Sequence, residues 1–362
     1  RCGSAGGRTR HMKLGLGLDD YNKPRLRPDV AAVQRAEAVG FHSVWTAEAY
    51  GADALSPLAY LAALTSRIKL GTAVVQVAAR TPAATAMHAM SIDALAGGGR
   101  TIIGLGVSGP QIVEGWYGRP WGSPNHWLRD YVAIMRKVLA RDEPVTHDGR
   151  QISLPYVGEG ALGQAKALKS ILHPTDGIEL WIASGAPRNT RLAGEVADGW
   201  LPMGYGMEGW EQFGPLLQAG FADRDPRAVP RDRFQIFTNL TVEITDDVKG
   251  AIERRKPMMA MYVGGMGSRD NNFHRDSMAR QGFPDQAAQI QERWLAGDKA
   301  GAAAAVPDDY VDRAGLIGPP ERIRERYPHV MPPGATGQII RTTDLATIEL
   351  MAEIVGEHAG LD

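Results

Sequence analysis

The stretch Ile68-Lys69-Leu70-Gly71-Thr72-Ala73-Val74-Val75, a helical run from Pro82 to Ala96, the break Gly97-Gly98-Gly99 and then Arg100-Thr101-Ile102-Ile103-Gly104-Leu105-Gly106 decide the fold. A short apolar run, an amphipathic run opened by Pro, a glycine stop and a second short apolar run read as strand, helix, strand. The connection is long enough for parallel pairing. The same unit stands upstream. Lys13 to Leu18 is a strand, Pro28 to Val39 a helix stopped by Gly40, Phe41 to Thr46 a strand and Pro57 to Thr65 a helix. It returns downstream, with strands at Gly177–Ala183, from Trp200, at Phe234–Val242 and at Gly337–Ile340. Helices are expected at Pro187–Ala197, from Gly318-Pro319-Pro320-Glu321, and from Thr343 to His358. About eight strands in βα alternation predict a TIM (β/α)8 barrel, with a doubly wound sheet as the competitor.

The composition is that of an ordinary soluble globular protein. Of 362 residues, 44% are hydrophobic and 22% charged. The 43 glycines follow no period and read as many tight turns. A net charge of −1 argues against a broad nucleic-acid surface. One cysteine, Cys2, excludes an internal disulfide and a thiolate metal cage. No apolar run approaches the ~20 residues of a membrane span, and the polar N-terminus does not read as a secretory signal. Residues 1–11, ending in a His11-Met12 junction, read as an expression leader. The remainder, 12–362, is expected to be a single domain with insertions at about 115–175 and 256–312 over the carboxyl-terminal face.

Gly104-Leu105-Gly106-Val107-Ser108-Gly109 matches the dinucleotide fingerprint by letter. It follows the fourth strand, and Pro110 comes next, so a nicotinamide site is not expected; a loop touching a cofactor phosphate is. Ser184-Gly185-Ala186-Pro187 is either a plain βα turn or the better anion site: a strand ends, small residues turn, and Pro187 takes the first helical position, leaving free N–H groups. Arg188 and Arg191 would add charge. Glu48 and Asp19 each follow a strand directly, where a barrel keeps its active site; either is a functional carboxylate or a solvated loop acid. No HExxH, no G-x-S-x-G elbow and no Walker loop occurs, so no metal site is expected. His42 and His88 read as structural. Trp116, Tyr117, Trp121 and Trp127 either stack on a flat ligand or pin an insertion.

Taken together, Phe41 to Glu48, Lys69 to Val74, Gly98 to Gln111, Val113-Glu114-Gly115-Trp116-Tyr117-Gly118, Ala197 to Pro202, Tyr262 to Gly267 and Gly318 to Ile323 resemble the bacterial luciferase-like monooxygenase superfamily. Within it they are similar to the actinobacterial oxidoreductases that depend on the deazaflavin coenzyme F420. The resemblance implies a TIM barrel holding the deazaflavin at the carboxyl ends of the strands. It implies a non-proline cis peptide at Ala73-Val74 behind the ring; Asp19 and Thr72 are further candidates for the cofactor side. Phosphate contacts fall on the Ser108-Gly109 loop and on Ser184-Gly185-Ala186, with the adjoining Val107 and Pro187 also expected at the cofactor. Glu48 takes the place of the acid after strand two and is the expected catalytic group.

Ala49 stands where the superfamily's sugar-phosphate dehydrogenases carry a catalytic His, which argues against that reaction. Residues 120–128 and 161–170 depart from the branch's pattern, on the substrate side. Trp121, His126 and His274 are the substrate-side candidates. The implied activity is hydride transfer between deazaflavin and a small organic substrate, in the cytoplasm, without nucleic acid or membrane, with a homodimer as the assembly to test. The alternatives are an FMN-dependent monooxygenase on the same scaffold and a non-catalytic flavin-binding barrel.

Overall fold

The computed structural model describes residues 12–18, 23–266 and 272–358. Eight parallel strands close into a barrel: β1 (Lys13–Gly17), β2 (Ser43–Thr46), β3 (Lys69–Thr72), β4 (Thr101–Gly106), β5 (Glu179–Ser184), β6 (Gly199–Pro202), β7 (Gln235–Ile244) and β8 (Gly337–Arg341). Register runs from Lys13↔Gly337 and Gly15↔Ser43 through Ser43↔Lys69, Leu70↔Thr101 and Ile102↔Glu179 to Trp181↔Gly199 and Gln235↔Gly199. This is the TIM barrel that the alternation predicts, and each of the eight strands lies where an apolar run was read.

Helices separate the strands: α1 (Val30–Ala38), α2 (Leu55–Ala62), α3 (Pro82–Leu95), α4 (Pro110–Gly115), α5 (Pro124–Ala140), α6 (Pro187–Val196) and α7 (Gly209–Ala222). Local chemistry sets their starts. Asp29 caps α1 by accepting from Ala32 N, and Thr81 caps α3, which has Pro82 at its first position. The stretch 115–175 is less irregular than its Gly, Pro and Trp content suggests. It contains α5, seventeen residues with Leu128, Tyr131, Val132, Met135 and Val138 buried at helical spacing, packed against α3 and α6. After α5 come a two-stranded hairpin, His147–Asp148 with Ser153–Leu154, and a long irregular segment before β5.

Many glycines do occupy turns with positive φ, among them Gly97, Gly98 and Gly99. Others do different work, inside the barrel. Trp45, Trp181 and Phe237 fill its middle with ring centroids 5.1–5.8 Å apart. A Cβ on Gly15 or Gly71 would strike the Trp45 ring; one on Gly199 would strike Trp181, and one on Gly337, Phe237. Glycine on one strand makes room for an indole on the next, which is how a closed interior reaches crystal-like density.

Contacts divide the chain into two compact units, one of residues 1–203, 210–239 and 334–362, the other of 204–209 and 240–333. The second holds helices α8 (Val248–Gly265), α9 (Phe273–Arg280), α10 (Pro284–Leu295), α11 (Lys299–Ala304) and α12 (Asp308–Arg313). They enclose their own core of Ile252, Val263, Met278, Ile290 and Val311. A further strand, Gly315–Gly318, pairs with Thr241–Ile244 at the end of β7. It sits where the sequence suggested only a helix start. Helix α13 (Pro320–Arg326) follows it, and α14 (Leu345–His358) ends the described chain. No helix among the described residues is long and apolar enough to cross a membrane.

Candidate active site at the carboxyl ends of the strands

A parallel barrel brings the carboxyl ends of all its strands to one face, where loop residues far apart in sequence meet. Glu48 stands just past β2 and is buried. Its Oε1 accepts from Gln76 N at 2.8 Å and Arg80 Nη1 at 2.8 Å; its Oε2 accepts from Arg80 Nη2 at 3.0 Å and Ala54 N at 3.2 Å. The carboxylate therefore clamps the loop after β2 to the segment after β3. Tyr117 joins the cluster, its hydroxyl donating to Ala49 O at 3.3 Å. Burial, then the Glu48 charge, push its phenol above the ordinary value.

The chain leaves β3 through a cis peptide at Ala73-Val74, the bond the resemblance implies. It then resumes pairing, Val75–Gln76 against Leu105 and Gly106 of β4. Thr72 is committed to the barrel: its Oγ1 donates to Gly104 O and accepts from Gly104 N, each at 2.9 Å. A Cβ on Gly104 would run into the Thr72 carbonyl, so close approach of the strands depends on that glycine. Gln76 donates from Nε2 to Glu48 O at 3.1 Å, while its Oε1 is buried without a hydrogen-bond partner. A buried acceptor left open is costly and marks a position for a donor.

After β4, Val107 leads into Ser108 with φ +62°, a left-handed conformation rare for a residue with a side chain, and Gly109 then precedes α4. Such strain concentrates where a loop meets a ligand. After β5, Ser184 is buried, its Oγ accepting from Trp200 Nε1 at 2.9 Å and lying 3.2 Å from Thr190 Oγ1. That side chain is engaged in the fold. The backbone of Gly185 and Ala186 and the first turn of α6, opened by Pro187, remain for an anion. Along α6, Arg188, Arg191, Leu192 and Glu195 line a cavity of about 420 Å3 together with Asn125, Arg129 and Asp223. Arg129 pairs with Glu195 and Arg191 with Asp223, whereas Arg188 has no ion pair among the described residues.

The remaining candidates scatter. Asp19 lies outside the described residues. Trp121 is held through its backbone N–H, which donates to Glu114 Oε1 at 3.3 Å. His126 meets Arg150, Nε2 to Nη1 3.2 Å. His274 belongs to the second compact unit, its ring 5.0 Å from Tyr262. Trp116 packs against Tyr50 at 6.4 Å. Sequence reasoning missed Arg80 and Gln76. Arg80 was findable, since it is the only Arg, Lys, Asp or Glu between Lys69 and Asp93, and a lone cation in an apolar stretch needs an acid.

Residues 5–337 match the family model for luciferase-like monooxygenases. The chain belongs to the luciferase-like monooxygenase family. It is 40% identical over 345 residues to a Mycobacterium tuberculosis protein named "Putative coenzyme F420-dependent oxidoreductase", covering 95% of this chain and 99% of that one. It is 30% identical over 305 residues to the 5,10-methylenetetrahydromethanopterin reductase of Methanolobus tindarius, covering 83% and 86%. The solved coenzyme F420 dependent tetrahydromethanopterin reductase from Methanopyrus kandleri shares its fold, with TM-score 0.76 and 22% identity over 96% of this chain and 99% of that one.

Proposed function

We propose that this member of the luciferase-like family is an F420-dependent oxidoreductase that passes hydride between the deazaflavin and a small organic substrate. The 40% identity over almost the full length of a relative carrying that name is the observation that carries the reading. The residues present fit such a cofactor. The turn at Gly185-Ala186-Pro187, with Arg188 beside it, offers N–H donors and charge to a phosphate. The open acceptor Gln76 Oε1 offers a partner to a ring N–H. When bound, the deazaflavin supplies two-electron hydride chemistry, and the protein supplies position and electrostatics.

In this reading Glu48 is a positioning residue. Both of its oxygens are already engaged in four hydrogen bonds, two of them from one guanidinium, which ties the side chain to the loops around it. Its role is to hold the segment Val75–Arg80 that forms the wall of the site. Ser108 and Gly109 bring backbone to the same face from β4. The protein is taken to be cytoplasmic and to act as a homodimer, which light scattering checks.

Titration of the purified protein with F420 and with FMN, followed by fluorescence, tests the cofactor. Saturable F420 binding, together with reoxidation of reduced F420 in a substrate screen, is expected. Tight FMN binding with no affinity for F420 would overturn the reading in favour of the monooxygenase.

A further inference from the structure

We propose that the cavity between Arg80, α5 and the hairpin binds an organic anion, a carboxylate on an apolar body, and that this anion is the substrate. The proposal rests on the oxidoreductase reading only in calling the ligand a substrate. The cavity measures about 640 Å3, within the range of small-molecule sites. Three guanidiniums line it, Arg80, Arg119 and Arg150, and no carboxylate does. Arg80 is neutralised by Glu48. Arg119 and Arg150 have no ion pair among the described residues, and Arg150 meets only the ring of His126 among side chains. With a net charge of −1 for the whole chain, two unmatched cations in one cavity are a local arrangement and not a trace of a basic surface.

The apolar part of the wall is Trp127 from α5 with Ile152 and Leu154 from the hairpin, and Thr81, Gln151 and Ser153 add uncharged polar groups. Guanidinium forks accept a planar carboxylate by paired N–H donors, and an apolar wall removes water from the remainder of the ligand. A cationic amphiphile would be repelled there, and a neutral one would gain only the wall. The anion of a cofactor is the other possible source. The turn proposed for the cofactor phosphate, Gly185-Ala186-Pro187, contributes no residue to this cavity, so the two anions have separate places.

The test uses anilinonaphthalene sulfonate as a fluorescent probe of the apoprotein, displaced by decanoate or by decanol. Saturable binding is expected, with decanoate displacing the probe at a concentration at least tenfold below decanol. In the Arg119→Gln/Arg150→Gln variant, both positions being exposed, that preference should vanish while F420 affinity stays within twofold. Absence of saturable probe binding, or equal potency of decanoate and decanol on the wild-type protein, would overturn the proposal. So would a loss of F420 affinity that matches the loss of decanoate affinity, because the arginines would then serve the cofactor. Failure of F420 to bind either protein would sink the cofactor reading alone, and the decanoate preference would still decide this one.

Discussion

Glu48 and Arg80 meet at two points, Oε1 with Nη1 at 2.8 Å and Oε2 with Nη2 at 3.0 Å, with the Glu48 side chain 2% exposed. The pair ties the loop after β2 to the segment after β3, across 32 residues of chain. A buried carboxylate so placed depends on its partner, because the desolvation of the charge is offset only by that guanidinium and the two backbone N–H donors.

Arg80→Met should therefore cost about 3–5 kcal/mol of folding stability, since it leaves the Glu48 charge buried and unpaired. Urea unfolding checks it. The Glu48→Gln/Arg80→Met double variant should cost less than Arg80→Met alone, and a larger cost for the double would show that the pair is not the unit that matters.

Glu48→Gln tests the role of the carboxylate itself. As a positioning residue it should slow single-turnover hydride transfer by less than about tenfold and leave the pH profile of that step unchanged in shape. A fall of about 10²-fold with loss of one limb of the profile would restore Glu48 as the acid–base group.

Gly185→Glu places bulk and negative charge at the proposed phosphate turn. Cofactor affinity should fall by about tenfold or more, by steric block and repulsion, while circular dichroism is unchanged. Unaltered affinity in a fluorescence titration would move the phosphate elsewhere.

His42, at the amino end of the barrel beside Phe237, supplies a pH dependence. Burial, with Lys13 and Lys69 nearby, holds its imidazole at about 3, against an ordinary 6.5. Between those values the unfolded chain takes up a proton that the folded chain refuses. Stability should thus decline as pH falls from about 6.5 toward about 3, by up to ~1.4 kcal/mol per pH unit, with no contribution above about 6.5. His42→Phe should flatten that decline in urea midpoints compared at about pH 4.5 and about pH 7.5; an unchanged slope would assign the acid sensitivity to other groups.

Much of the architecture was legible because it is local. Strand and helix periods, proline starts and glycine stops act within a few residues, and they located the eight strands and the turn at Ser184-Gly185-Ala186-Pro187. Helix α5 was obscured by the Trp, Gly and Pro around it, although its own apolar spacing is regular.

Sequence alone determined that Glu48, Ala73-Val74, Ser108-Gly109 and Gly185 would share one face, since in a closed parallel barrel every strand's carboxyl end points the same way. Only the tertiary structure decided what those residues do there. It spent the Thr72 and Ser184 hydroxyls on neighbouring strands and helices, gave Glu48 the Arg80 guanidinium, left Gln76 Oε1 open, and set Arg119 and Arg150 in one cavity. Each of these depends on which distant side chain arrives within about 3 Å, and periodicity along the chain carries no information about that distance.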